Sequence, residues 1–145
     1  MAAITYSKSN KSFVTVGVGI IHQNGKYLIC QRSTSGSLPL YWEFPGGKQE
    51  KDERIQDTIV RELLEELNVK ANIEHKLGVY QWQYPLVSVR LICYFVTIKD
   101  ISMIHLNVHA DMKWCSLHDL TKYNILPSNK QIIETLKVQH TNLIK

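Results

Sequence analysis

The stretch GGKQEKDERIQDTIVRELLEELNV, Gly46 to Val69, decides how the rest of the chain is read. It opens on a glycine pair, crosses a polar linker, and then repeats apolar residues at Val60, Leu63, Leu64 and Leu67. That spacing predicts a helix from about Asp52 to Leu67 with one side against a core. Each helical residue advances about 100°, so Glu62, Glu65 and Glu66 fall within an arc of roughly 100°, on the side away from the apolar stripe. A surface helix gains when Glu is followed four residues later by Lys, whereas Glu62 is followed by Glu66, a like-charge pair that destabilises. A solvated charged face is the ordinary reading of such a run, and it leaves the crowding unexplained. Crowded carboxylates suit a hard divalent cation such as Mg²⁺, which takes oxygen ligands and is commonly shared with substrate phosphates.

Upstream, VTVGVGII (Val14 to Ile21) and KYLICQR (Lys26 to Arg32) are β-rich runs joined through Asn24-Gly25, a strong hairpin signal. STSGSLPL, Ser33 to Leu40, is a turn-rich loop, and YWEFPGGK is an aromatic strand end broken by Pro-Gly-Gly. Downstream, Ile73 to Tyr80 reads as a short strand and MKWCSL as another. VSVRLICYFVTI, Val87 to Ile98, is the longest β-rich run and is expected at the centre of a sheet. The tail from Ser128 puts Ile132, Ile133, Leu136 and Val138 on a helical pattern, with Ser128 and Gln131 spaced as a capping box. Strands and helices mixed in this way predict an α/β sandwich with a mixed sheet.

The chain has 145 residues, of which 44% are hydrophobic and 21% charged, the size and balance of a single domain over residues 1–145. The opening MAAITYSKSNKSF has neither the apolar stretch of a signal peptide nor the character of a transit peptide, and no segment is apolar enough to span a membrane. The expected location is therefore cytoplasmic. Cys30, Cys93 and Cys115 are far apart and lack C-x-x-C spacing, which predicts reduced core thiols and neither disulfides nor a zinc site. A net charge of +4 leans towards anionic partners of nucleotide size and is too small to predict stable nucleic-acid binding.

The quoted stretch resembles the signature of the Nudix hydrolases. Gly47, Glu53, Arg61, Glu62, Leu63, Glu65, Glu66 and Val69 occupy the places of that signature, and Asn68 stands where the family usually has glycine. Asparagine also tolerates the left-handed backbone that ends a helix, so the fold is expected to survive the change. WEFPGGK, Trp114 and LPSNKQIIETL extend the resemblance to the MutT-like branch, whose members cleave nucleoside triphosphates to a monophosphate and pyrophosphate. The resemblance implies a Nudix-type α/β/α sandwich around a mixed β-sheet. It also implies Mg²⁺, with Mn²⁺ as a substitute, held by the Gly46 carbonyl, Glu62, Glu65 and Glu66, one of these glutamates also acting on water. Glu53 would support the metal network. Arg61 would hold loop and helix in register, the alternative being an ordinary surface pair with Glu65. A further acid of the family falls in HLNVHADMKW, where this chain has Val108; Asp111 is the nearest acid and His109 a further candidate to contribute there, the alternative being that a lone loop histidine is ordinarily solvated.

For substrate, the same resemblance places Arg32 near the nucleotide, has Glu43, Phe44, Pro45 and Gly46 line a base pocket, and sets Asn129 to read 8-oxoguanine. One amide can accept from the N7–H of the oxidised base and donate to its O6. Helix capping by Ser128-Asn129 is the alternative for that residue, and plain core packing the alternative for Phe44. Trp42, Trp82 and Tyr84 are candidates for stacking or for packing. The expected activity is pyrophosphohydrolysis of 8-oxo-dGTP. The alternatives are CTP, dCTP or another nucleotide as substrate, and a Nudix-fold module that binds without turnover. Monomer and homodimer both remain open.

Overall fold

In the computed structural model the described residues are 13–143, with side chains described through 140. The opening segment read above for targeting signals lies almost wholly outside them. Strand β1 (Phe13–Gln23) turns back into β2 (Lys26–Gln31), and Asn24 and Gly25 take φ of 53° and 75°, as the two-residue hairpin requires. Two short strands follow, β3 (Trp42–Glu43) and β4 (Gly46–Lys48), then helix α1 (Ile55–Leu67). Strands β5 (Ala71–Gln83), β6 (Ser88–Ile98) and β7 (Asp111–Ser116) precede the closing helix α2 (Lys130–Leu143). The sheet is mixed: β1 runs parallel to β6, while its pairings with β2 and β4, and those of β5 with β6 and β2 with β3 and β7, are antiparallel. Strand β6 is interior to the sheet, one place from its edge, with β1 on one side and the edge strand β5 on the other.

Period-two alternation along β1 separates two cores. Val18 and Ile20 join Leu91, Phe95, Ile132, Ile133 and Leu136 on the α2 side. Ile21 joins Ile59, Leu63, Leu67 and Val96 on the α1 side. Gly17 and Gly19 face α1 as well, and a Cβ on either would stand 2.9 Å from Ile59 or Leu63, so these glycines form the groove into which the helix settles. That groove selects the stripe Ile59, Leu63, Leu67, together with Thr58, as the buried face. The sequence expectation is corrected in part: Leu63 and Leu67 are buried, but Leu64 is 54% exposed and Val60 only half-buried. Burying three such side chains stabilises the packing by about 5–9 kcal/mol.

Helix α1 begins three residues later than expected, because Asp52 sits at φ 63° in a turn closed by Glu53 N–H donating to the Glu50 carbonyl (3.1 Å). It ends as expected, with Asn68 left-handed at φ 60° and its N–H on the Leu64 carbonyl. Strand β5 is longer than its sequence signal. His75, Lys76 and Gly78 break the alternation, and the ladder to β6 carries the strand across two register shifts. The capping box does not form: the Ser128 hydroxyl pairs with Tyr84 Oη (2.9 Å), and Gln131 Nε2 donates to the Gln81 carbonyl (3.1 Å). Ile132, Ile133 and Leu136 are buried as expected, whereas Val138 is exposed. All three cysteines are buried free thiols, and burial raises the pKa of each.

The segment from Trp42 to Lys48 wedges between β1 and β2 after their hairpin opens. Trp42 is pinned at both backbone groups, to Asn124 O (2.9 Å) and Leu126 N (2.8 Å), and the Pro45 carbonyl accepts from Gly19 N–H (2.9 Å). This wedge brings the glycine pair under α1 and the aromatic residues towards α2.

Candidate active site

Arg61 reaches across the loop that leads into α1. Its Nε and Nη2 donate to both oxygens of Glu53 (2.8 and 3.0 Å), Nη2 also meets the Lys48 carbonyl (3.0 Å), and Nη1 donates to Glu62 (2.9 Å). Arg61 makes both sets of contacts weighed above: the loop-to-helix bonds are the shorter, and the pair with Glu65 is made at 3.5 Å. Glu53 further accepts from Thr58 Oγ1 (2.7 Å) and from Glu50 N–H (3.0 Å). Donation by Arg61 and then by Thr58 lowers its pKa to about 2. The Glu62 carboxylate lies on Gly47, where any Cβ would collide with it. A side chain at position 47 would therefore push the Glu62 carboxylate out of its place.

Glu66 points inward, and burial pushes its pKa up to about 9, with the negative charges of Glu62 and Glu43 adding to the rise. Its Oε1 is buried without a hydrogen-bond partner. Glu65, by contrast, is exposed over 58% of its side chain. The loop after β6 is tied to the end of α1 by His105 N–H on Leu67 O (2.9 Å), Asn107 N–H on Glu66 O (3.0 Å) and Asn107 Nδ2 on Glu65 O (2.7 Å). Carbonyls at a helix end otherwise lack partners, so this loop holds the glutamate turn in place.

A cavity of about 730 Å³ opens beside this helix, within the range of small-molecule sites. Arg32, Glu43, Phe44, Gly46, Glu66 and Asn129 of the expected residues line it; Pro45, Glu53, Arg61, Glu62 and Glu65 do not. Pro45 instead supports β1 through its carbonyl. Glu43 is held on both oxygens, by Arg32 Nη1 (3.0 Å) and His109 Nε2 (3.1 Å). His109 corrects the sequence reading: its side chain is 4% exposed, not solvated. Loop residue Val108 also lines the cavity, and Asp111 does not, its Oδ1 accepting from Met112 N–H (2.8 Å).

Asn129 is buried, and its Oδ1 accepts from Phe44 N–H (2.9 Å) while Nδ2 contacts Ser128 Oγ (3.3 Å). Asn129 closes a 3₁₀ turn (Pro127–Asn129) and does not cap α2 with its side chain. Phe44 is both core and cavity wall. Trp42 packs against Tyr123, and Trp82 is partly exposed beside Tyr84, whose hydroxyl also accepts from Ser128 N–H (3.0 Å). Of Trp42, Trp82 and Tyr84, Tyr84 is the one that lines the cavity.

The sequence profile described as NUDIX domain matches residues 11–136. The chain belongs to the Nudix family. It is 31% identical over 123 residues to the CTP pyrophosphohydrolase of Escherichia coli K12, spanning 83% of this chain and 89% of that protein. Among solved structures it is similar to a MutT protein of methicillin-resistant Staphylococcus aureus 252, at 34% identity, a TM-score of 0.70 and coverage of 88% and 97%. It also shares its fold with the MutT protein of Methanosarcina mazei Go1, at 19% identity, a TM-score of 0.80 and coverage of 89% and 96%. The mixed sheet with its helices is the Nudix α/β/α sandwich, and the chain falls in the MutT-like branch.

Nudix hydrolases act on phosphoric anhydride bonds of small molecules and generally use divalent metals such as Mg²⁺. Among the described residues, no three acidic, histidine or cysteine side chains converge closely enough to hold an ion as they stand. The donor set nevertheless fits one. A buried carboxylate oxygen without a partner, beside two further carboxylates, is an arrangement that a divalent cation relieves. No helix among the described residues is long and apolar enough to cross a membrane.

Proposed function

We propose that this chain is a Mg²⁺-dependent nucleoside triphosphate pyrophosphohydrolase that releases a monophosphate and pyrophosphate, with 8-oxo-dGTP as its substrate and removal of damaged nucleotides from the precursor pool as its role. The observation that carries this reading is that one cavity wall combines a buried carboxylate oxygen without a partner, Glu66 Oε1, with a buried oriented amide, Asn129. The first suits the cation of a phosphate-cleaving site and the second a nucleobase.

Phe44 N–H fixes which end of the Asn129 amide is oxygen and which is nitrogen. The amide then offers an N–H towards a base carbonyl such as O6, and keeps a second lone pair on Oδ1 for a base N–H. Phe44 and Tyr84 supply apolar wall to the ring, and Arg32 supplies charge to the phosphates. Arg61 and Glu53 lock the loop against α1, so that the Gly46 carbonyl, Glu62, Glu65 and Glu66 would hold the metal. Mg²⁺, or Mn²⁺ in its place, would neutralise phosphate charge and render water acidic when bound. One of the glutamates accepts the proton of the attacking water. The chain works as one catalytic domain, monomeric or homodimeric, on a free nucleotide in the cytoplasm, without holding nucleic acid or membrane.

A second reading takes CTP or dCTP as substrate, and similarity to a CTP pyrophosphohydrolase favours it. Cytosine too presents a carbonyl and an amino group that one amide can meet. Comparing kcat/KM for pyrophosphate release from 8-oxo-dGTP, dGTP, CTP and dCTP separates them. Preference for 8-oxo-dGTP over dGTP supports the first reading, preference for cytidine nucleotides supports the second, and tight binding without release of product from any would mark a non-catalytic module.

A further inference from the structure

His109 has no part in the reading above, yet it is enclosed in the cavity wall. The loop that carries it is fastened on both sides: His105 and Asn107 are bonded to the end of α1, and Ala110 N–H donates to the Gln31 carbonyl of β2 (2.8 Å). The imidazole is thereby placed by backbone contacts. Its Nε2 lies 3.1 Å from Glu43 Oε2, and since a carboxylate only accepts, Nε2 carries the hydrogen. Glu43 uses its other oxygen for Arg32 Nη1, and Arg32 Nε and Nη2 donate to the Ser37 carbonyl (3.0 and 2.9 Å), with Nη2 also on Ser37 Oγ (3.1 Å), which leaves one Nη1 hydrogen of the five for a ligand. The order of contact is therefore His109 to Glu43 to Arg32, with all three on the cavity wall. His109 Nδ1 is left buried and without a partner. A side chain present only to fill space would be apolar here, because an unpartnered buried nitrogen carries a penalty.

We propose that His109 is a positioning residue of this site: through Nε2 it fixes the Glu43 carboxylate, and through Glu43 it holds the Arg32 guanidinium in the pose that meets the anionic part of the nucleotide. This rests on the proposed function for the identity of the ligand, but not for the contact chain. Without a donor from His109, one oxygen of Glu43 loses its partner. The pair with Arg32 then slackens, and the loss falls on substrate binding more than on the chemical step.

The test compares wild type, H109L, H109Q, E43Q and the H109L/E43Q double variant in two assays. Steady-state pyrophosphate release with Mg²⁺ is measured on CTP and on 8-oxo-dGTP. Side-chain ¹H–¹⁵N spectra of the Arg32 Nε–H are recorded without nucleotide. H109L is expected to raise KM about tenfold, the scale of a hydrogen bond to a charged group, with kcat changed by less than about twofold. Glutamine carries a nitrogen near the Nε2 position, so H109Q restores both KM and a sharp Arg32 signal, which H109L broadens. Because both changes act through one carboxylate, the double variant is no worse than E43Q. Wild-type KM and an unaltered Arg32 signal in H109L overturn the proposal. So does H109Q behaving as H109L, which makes Nδ1 the working nitrogen. Should H109L fail to fold, H109N takes its place, since asparagine offers a donor only near Nδ1 and is expected to show the same defect. If wild type releases pyrophosphate from no nucleotide, the proposed function falls, and the Arg32 spectra still decide for or against the positioning role.

Discussion

Replacing Asn129 by alanine tests the part of the site that joins fold to base recognition. In the native chain, Phe44 N–H and Asn129 Oδ1 meet at 2.9 Å, with both residues only 3% exposed. Alanine leaves that N–H without its protein acceptor, at a cost of about 1–3 kcal/mol. The other contact of the amide, 3.3 Å to Ser128 Oγ, adds little, because Ser128 keeps its two bonds to Tyr84. For a chain of this length each kcal/mol lowers the midpoint by about 3 °C, so Asn129→Ala should unfold about 3–10 °C below wild type. Thermal unfolding by circular dichroism, without nucleotide, reads the stability. A parallel substrate panel should show preference among bases collapsing more than turnover of the favoured base. An unchanged midpoint would refute the claim that the amide is anchored by Phe44, and with it the fixed orientation on which base reading depends.

Further perturbations bear on the metal turn and its support. Gly47→Ala sets a methyl group against the Glu62 carboxylate, so pyrophosphate release should fall at least about tenfold while the circular dichroism spectrum stays native. In chelator, Glu66 has a folded pKa raised to about 9 by burial and by its acidic neighbours. The folded state therefore binds more protons than the unfolded one between the ordinary carboxylate range and pH 9, and stability should fall as pH rises through that window. Glu66→Gln should flatten this slope and unfold at a higher temperature than wild type at pH 8, as measured by pH-dependent melting in EDTA. Leu63→Ala, under the Gly19 contact and fully buried, should cost about 2–5 kcal/mol in urea unfolding.

Much of this architecture is legible in local pattern, because strand and helix periods and the Asn24-Gly25 turn are set by neighbours in sequence. What the pattern misreads is decided by contacts distant along the chain. Spacing alone admits Leu64 to the apolar stripe, but the groove at Gly17 and Gly19 turns the helix so that Ile59 takes the buried place. Ser128 and Gln131 have capping spacing, yet Tyr84, 44 residues away, takes the hydroxyl. The glutamate turn and Arg61 stand out in sequence because their spacing is fixed within one helix and its loop. His109 does not: nothing local distinguishes a buried loop histidine from a solvated one, and its position follows only from the fastening of its loop to α1 and β2. Asn129 is legible as a site residue, but its bond to Phe44 is not, since 85 positions separate the pair.

Metal-dependent release of pyrophosphate, followed side by side for wild type and Glu66→Gln across a Mg²⁺ titration, tests the central claim most directly. The account predicts monophosphate and pyrophosphate from wild type only when Mg²⁺ is present, and a folded Glu66→Gln whose turnover is lower by at least about 100-fold at every Mg²⁺ concentration. Wild-type rates in Glu66→Gln, or turnover by wild type that persists in chelator, would contradict it.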